Sequence, residues 1–365
     1  MNIIWITGRS VSKDLAGTTE IGLINGLSKL GHSITLFCPD TSNNEINCKQ
    51  IIFNRVKIKG IETISGTRYL RKLIIKNENE IKNSDIILID WRYVVSLKKT
   101  LIKYGKKWVI IDRGPPAYSG ILSKIQSIIW KKSWRIASKY SNGGFTVSSA
   151  HKEYVNNILN GEMNIKVIPA GTNVNDFSIN ITEKRHILKF IYAGRLDENR
   201  GMSEIIKMYN NMHRLKIKTN LIIIGEGNYS NEIEKLSLQN SNLIFYGKLS
   251  RKETLKIMNK CDVGILPMPD TPIWKIASPL KLAEYAASGL VTIGPKHSGN
   301  KIERDAEWSL LSSGNMWFEE YIELINKIIE EDGWNFLSEI ARKDAKELDW
   351  SEISNQLADQ LDSMK

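Results

Sequence analysis

Short apolar runs rich in Ile, Val and Phe recur along the chain and alternate with longer stretches in which apolar and charged residues mix. In the first half the runs fall at Ile3 to Ile6, Ser33 to Phe37, Ile86 to Asp90, Trp108 to Asp112 and Gly144 to Val147. Brief, β-branched runs of this kind read as strands and the stretches between them as helices, and their alternation predicts a parallel sheet wound on both faces. The second half repeats the scheme with runs ending at Gly194, Ile224, Gly247 and Pro267. The pattern therefore predicts an α/β chain of two Rossmann-like, doubly wound domains over 1–170 and 187–335, joined by a hinge at 171–186. No heptad or helical repeat interrupts it.

Three segments of this pattern carry candidate chemistry. In Ser278-Pro-Leu-Lys-Leu-Ala-Glu284-Tyr-Ala-Ala-Ser-Gly289 a helix start and a helix stop lie within twelve residues. Ser278 suits the N-cap and Pro279 the first helical position, so the free N–H groups around Leu280 and Lys281, with the positive end of the helix dipole, favour a phosphate. Glu284, about a turn and a half further on, is placed to accept hydrogen bonds from sugar hydroxyls. A capped helix with a solvent-facing Glu gives the same pattern. In Phe190-Ile-Tyr-Ala-Gly194-Arg195-Leu-Asp-Glu-Asn-Arg200-Gly201 a strand runs into a loop with two arginines five residues apart. Such a pair grips a diphosphate from two sides through charge-assisted, bidentate bonds, at the sheet edge where open α/β sheets bind ligands. Two solvated loop arginines are the alternative. Leu221-Ile-Ile-Ile224 then opens into Gly225-Glu-Gly227, which permits either close approach to a ligand or a tight turn.

Taken in order, these segments resemble the nucleotide-sugar-binding half of retaining glycosyltransferases of the GT-B fold, family four (group 1), and the resemblance covers nearly the whole chain. Gly194-Arg195-Leu with Arg200-Gly201 is similar to the family's Gly-Arg-Leu followed by Lys-Gly. Ile222-Ile-Ile-Gly-Glu-Gly-Asn228, Asn242-Leu-Ile-Phe-Tyr-Gly247 and Cys261-Asp-Val-Gly-Ile-Leu-Pro267 resemble its successive strand ends. Gly31-His32-Ser-Ile-Thr-Leu and Val167-Ile-Pro-Ala-Gly171 do the same for the first half. The resemblance implies two domains facing a central cleft, with the helices of 336–365 returning to the first domain through the last of them, from about Trp350 to the end. It also implies that Gly17 and Thr18 face the donor phosphates, although a flexible turn with a Thr N-cap accounts for the same residues. The chain departs from the family in two places. The first of the family's two signature glutamates is replaced by Ile276, while the Ser-Pro-Leu-Lys-x-x-Glu-Tyr version present here occurs in a subset of the family; Asp270 or Lys275 is a candidate for the missing contact. The histidine that many members place beside the reacting sugar is absent from Ile111-Asp112-Arg113-Gly-Pro-Pro116. Asp112 or Arg113 is the candidate for its place, a structural ion pair the alternative.

Composition fits a two-domain enzyme: 365 residues, 42% apolar and 25% charged, suffice for two cores. The amino terminus lacks the marks of a signal peptide, no stretch reaches the roughly 18 to 20 apolar residues of a spanning helix, and Cys38, Cys48 and Cys261 have no metal or redox spacing. A cytoplasmic protein is the expectation. The net charge of +11 is concentrated between Tyr93 and Tyr140, where eleven cations face Asp112 alone. Within it, Ile121 to Tyr140 reads as a helix on which Lys124, Lys131 and Arg135 cluster near Ile125, Ile128, Trp130 and Trp134. A basic helix with interfacial aromatics suits docking on an anionic membrane surface through 93–140; a core-facing apolar stripe with solvated lysines is the alternative. No nucleic-acid-binding motif accompanies the charge.

The resemblance thus implies a retaining glycosyltransferase acting without metal or other cofactor. It would move a sugar from a nucleoside diphosphate sugar to an acceptor hydroxyl. Arg195, Arg200, Lys281 and the Ser278 to Leu280 amides would hold the diphosphate, backed by Gly194 and Gly225, and Glu284 the ribose. The chain contains no Asp-x-Asp pair, and the basic first domain points to a lipid-linked saccharide as acceptor. Two alternatives stay open at this stage: a non-catalytic partner subunit of the same fold, and a nucleotide-sugar epimerase.

Overall fold

Seven strands assemble into one parallel sheet and six into another; the five and four runs expected are among them, and Lys49–Phe53, Ile165–Val167, Val291–Pro295 and Ser309–Ser312 are strands that the apolar pattern did not mark. The computed structural model describes residues 1–11, 17–56, 62–116, 121–178, 187–214, 219–313 and 333–365. Residues 179–186 of the expected hinge, 12–16 of the loop before Gly17 and 117–120 of the basic window lie outside them. The described chain forms two units, Met1–Gly171 with Trp350–Lys365, and Thr172–Asp349.

In the first unit, β1 (Asn2–Ile6), β2 (Ser33–Pro39), β3 (Lys49–Phe53), β4 (Ile86–Asp90), β5 (Trp108–Ile111), β6 (Gly143–Thr146) and β7 (Ile165–Val167) lie in the order β3-β2-β1-β4-β5-β6-β7. All neighbours are parallel; Ile3 on β1 sits opposite Ile34 on one side and Ile86 on the other. β1 and β4 are covered on both faces, which explains why their sequences are continuous apolar runs rather than alternating ones. The strand order reverses between β1 and β4, so the carboxyl ends of these two strands flank the crevice where doubly wound sheets bind ligands.

The segment Trp350–Asp362 is a helix of this unit, packed against the helix Gly17–Lys29. Its approach depends on two glycines one turn apart. A Cβ at Gly22 would run into the Trp350 ring, and one at Gly26 into the Ser354 hydroxyl. The return falls at Trp350, where the resemblance places the crossing helix; the helix Trp334–Asp344 and the turn Ala345–Leu348, which overlap the earlier part of the segment 336–365, remain with the second unit. There the Trp308 indole and the Arg304 guanidinium both donate to Asp344, at 2.8 and 3.0 Å, and tie the helix to the sheet it covers.

The second unit holds β8 (Leu188–Ala193), β9 (Thr219–Ile224), β10 (Leu243–Phe245), β11 (Val263–Ile265), β12 (Val291–Pro295) and β13 (Ser309–Ser312), all parallel, in the order β10-β9-β8-β11-β12-β13. Its reversal falls between β8 and β11. The loop after β8 is the one that carries Arg195 and Arg200. Among the described residues no helix is long and apolar enough to cross a membrane. The three cysteines are free, and burial pushes the Cys38 and Cys261 thiols up to about 12 and Cys48 to about 11.

Candidate functional site

At the carboxyl edge of the second sheet the chain leaves β8 through Gly194. Glycine here holds a positive φ of 157°, and a Cβ at this position would lie 2.7 Å from the Lys281 ammonium and displace it. Lys281 therefore sits directly on the backbone of the Gly194-Arg195 loop, with its ammonium 5.2 Å from the centre of the Tyr192 ring. Burial pushes its pKa down to about 8; Arg200 adds to the depression and Glu284 opposes it. Lys281 is thus within electrostatic reach of two other predicted site residues, so three groups separated by up to 84 positions in the chain share one locality. Gly225, at the end of β9, packs its backbone against Gly194 and closes the floor of the loop.

The remaining cations have partners that sequence reasoning missed. Arg195 makes two bonds of 3.1 Å to the Asp197 carboxylate, and its carbonyl accepts from the Tyr192 hydroxyl at 2.7 Å. The Arg200 guanidinium lies 5.2 Å from the centre of the Trp274 ring, whose indole N–H donates to the Asn199 carbonyl. Trp274 thereby clamps the turn Glu198–Arg200. Glu284 accepts a 2.7 Å bond from Arg251, which also reaches the Thr172 hydroxyl. A weak signal for Arg251 existed in the sequence: Ser250 and Glu253 form a capping box that fixes Arg251 at the first helical position. That it meets Glu284, 33 residues away, is a product of the fold.

The helix carrying Lys281 and Glu284 starts one residue later than expected. Pro279, with ψ 131°, is the N-cap and Leu280–Ala287 is the helix, because helical dihedrals begin only after the extended proline. Ser278 therefore stands one residue before the N-cap. Ile276, in the place of the first signature glutamate, is buried. Asp270 and Lys275, offered as substitutes, pair with each other at 2.9 Å.

Gly17, Thr18 and Asp112 belong to the first unit. Gly17 and Thr18 open its first helix. Asp112 is 1% exposed and both its oxygens are engaged: Oδ2 accepts from the indoles of Trp130 and Trp134 at 2.5 and 2.8 Å, and Oδ1 from the Gly114 amide at 2.9 Å. His151, also fully buried, lies 3.5 Å away. Burial alone would raise the Asp112 pKa, but His151 and the bonds from Trp134 and Gly114 outweigh it and hold it below the ordinary range. The geometry makes Asp112 the anchor of two tryptophans. Arg113 does not pair with it and donates instead to the Ile168 carbonyl.

The same anchoring corrects the reading of the basic helix Ile121–Tyr140. Trp130 and Trp134 are in the core, not at an interface. Its outward apolar residues are Ile125 and Ile128, 50% and 66% exposed. Further along, a pocket of about 400 Å³ is lined by Lys98, Lys132, Arg135, Lys139 and Tyr140. Lys98 lies 4.2 Å from the centre of the Tyr140 ring.

Residues 174–347 match the family of glycosyl transferases, group 1. The second unit is a group 1 glycosyltransferase domain. The loop after β8, the Lys281–Glu284 helix and Arg251 all lie inside it. No curated protein matches the chain in sequence. Among solved structures, sucrose-phosphate synthase from Thermosynechococcus elongatus is 14% identical, with a TM-score of 0.74 over 100% of this chain and 99% of that one. Anabaena Alr3699/HepE, solved with UDP and glucose, is 15% identical, with a TM-score of 0.72 over all of both chains. WaaG, a glycosyltransferase involved in lipopolysaccharide biosynthesis, is 12% identical, with a TM-score of 0.71 over 98% of each. The two parallel sheets, one in each unit, give the α/β, two-domain architecture of GT-B glycosyltransferases.

Proposed function

We propose that the chain moves a sugar from a nucleoside diphosphate sugar to an acceptor hydroxyl with retention of anomeric configuration. The observation that carries this is Lys281 seated on the Gly194 backbone, with Arg200 and Glu284 within electrostatic reach of it, at the strand-order reversal of the group 1 domain. In this reading the diphosphate lies over Arg195, Arg200, Lys281 and the first-turn amides of Leu280–Ala287. Arg195 exchanges Asp197, and Glu284 exchanges Arg251, for groups of the donor. The bond between the anomeric carbon and the diphosphate oxygen breaks, and the acceptor oxygen bonds to that carbon from the same face. The acceptor's proton passes to the departing phosphate. Negative charge grows on the leaving group as it separates, so fixed cations at that place lower the barrier. Side-chain cations would serve here in place of a metal ion.

For the acceptor we favour a lipid-linked saccharide in surface glycan assembly, met at the cytoplasmic face of a membrane. The support is the exposed Ile125 and Ile128 set among the lysines of Ile121–Tyr140, together with the cationic pocket beside them.

UDP is the first nucleotide to try, since Alr3699/HepE was solved with it. Calorimetric titration of UDP, GDP and dTDP in EDTA should show selective binding to the wild type that weakens at least tenfold in Glu284→Ala. Binding of none of the three would overturn the assignment and favour a non-catalytic partner subunit. Conversion of donor without acceptor would favour an epimerase.

A further inference from the structure

Two helices of the first unit carry many cations and no acid: neither Trp91–Tyr104 nor Ile121–Tyr140 contains an Asp or a Glu. They pack against each other. Where they meet the end of the helix Ser149–Leu159 lies the pocket of about 400 Å³, within the roughly 300–1,000 Å³ of small-ligand sites. Lys98 lines it from one helix and Lys132, Arg135 and Lys139 from the other. Among the described residues no carboxylate lines it and none of the four cations forms an ion pair. Ile136 and Leu159 supply an apolar wall. Charge of one sign against a low-dielectric wall concentrates the field, so the cations repel one another and an anion is drawn in. Lys98 is held by the Tyr140 ring, 4.2 Å from its ammonium. Arg135 brings a guanidinium fork, the shape that pairs with two phosphate oxygens. The negative end of the Ile121–Tyr140 dipole, about half a charge felt within the last turn, offsets Lys139 but not the other three.

Position separates this pocket from the crevice. Ile121–Tyr140 runs back from the carboxyl end of β5 to the amino end of β6, which starts at Gly143. Its last turns therefore lie towards the amino edge of the sheet, whereas the crevice lies at the carboxyl ends of β1 and β4. Ile125, Ile128, Lys132, Arg135 and Lys139 follow one another at spacings of three and four, which makes them one stripe of the helix. All five are exposed. The stripe is apolar in its first half and cationic in its second. Such a stripe suits a bilayer surface, where apolar side chains enter below the headgroups and cations stay level with the phosphates.

We propose that this pocket is a headgroup site for a lipid ending in a phosphate monoester, gripped by Lys98, Lys132, Arg135 and Lys139 while Ile125 and Ile128 enter the bilayer beside it. Docking on a membrane belongs to the reading above; the pocket adds the headgroup that is selected. A phosphate monoester offers three oxygens and about 1.5 to 2 negative charges near pH 7. Four cations without an acid accommodate it better than a diester with a single charge. Diffuse attraction to a charged surface draws no such distinction.

Sedimentation of the full chain with phosphatidylcholine vesicles doped with phosphatidate or with phosphatidylglycerol, matched in zeta potential, tests this. We expect phosphatidate vesicles to bind about fivefold more tightly, the worth of one well-placed cation. Lys98→Met should abolish the preference and Lys98→Arg keep most of it. Lys99→Met removes the same charge from an exposed position of the same helix outside the pocket, and should leave the preference intact. Equal binding of the wild type to the two vesicles, or Lys98→Met and Lys99→Met behaving alike, would overturn the pocket and leave only unspecific docking. Glycerol 3-phosphate carries the same phosphate without acyl chains and should compete far more weakly than the lipid. Competition at concentrations equal to the lipid's own would reassign the pocket to a soluble phosphate and overturn the lipid. UDP titrated into the same variants reports separately on the donor reading.

Discussion

Lys281 is the cation of the donor cluster whose charge depends most on what binds beside it. With its pKa near 8, against about 10.4 in the unfolded chain, it is protonated below pH 8 and neutral above. A bound diphosphate favours the charged form, so UDP affinity should fall as pH rises from 7.5 to 9, by at most about tenfold per pH unit. In Lys281→Met the affinity at pH 7.5 should be lower, by about 10- to 100-fold for a lost charge-assisted bond, and nearly independent of pH over that range. Calorimetry at three pH values checks both; a wild-type affinity that does not change with pH would remove Lys281 from the diphosphate. Asp112 calls for the opposite experiment. Asp112→Ala leaves the indole N–H groups of Trp130 and Trp134 buried without their acceptor, and should cost roughly 3–5 kcal/mol of stability. If Asp112 serves the fold, the variant's folded fraction should keep near-normal turnover. A catalytic role would show as turnover lost in protein that remains folded. The sequence marked Arg195, Arg200, Lys281 and Glu284 because each belongs to a local motif. Asp197 was as close at hand, but the Arg251–Glu284 and Asp112–His151 meetings join residues far apart in the chain, and no local pattern encodes them.

The elements themselves were largely legible, because parallel strands buried on both faces leave unbroken apolar runs such as Ile86 to Asp90. Helix ends were less so: the ψ of Pro279 moved one start by a residue. Which elements pack together was harder still. The pairing of Gly17–Lys29 with Trp350–Asp362 is set by Gly22 and Gly26, which in sequence resemble flexible positions in a helix rather than a docking surface. Gly26→Val should push Ser354 and its helix outward, at a cost of about 1–3 kcal/mol. Chemical denaturation would measure the loss, and tryptophan emission would follow Trp350, which is buried in that contact. Full stability in that variant would show the two helices to be less closely interlocked than their geometry states.

For the whole molecule, the concentration of charge matters more than its sum. Almost all of the +11 resides in one window of the first unit, and screening at physiological ionic strength confines its reach to about 8 Å. Docking through that window should therefore be short-ranged and salt-sensitive. Sedimentation with vesicles containing anionic lipid should show binding at 50 mM salt that is mostly lost at 500 mM. Replacing Lys132, Arg135 and Lys139 by Ala should weaken it several-fold at low salt. Equal sedimentation with neutral vesicles would exclude electrostatic docking.

The route of the chain between the units also imposes an order of assembly. All of Thr172–Asp349 is made before the helix that begins at Trp350, yet that helix completes the unit built from the first 171 residues. During synthesis the group 1 domain is thus free to finish while its predecessor still lacks a wall, leaving the Gly22 and Gly26 face uncovered until Trp350–Asp362 has been made. Of the two units, the one begun first is the one closed second.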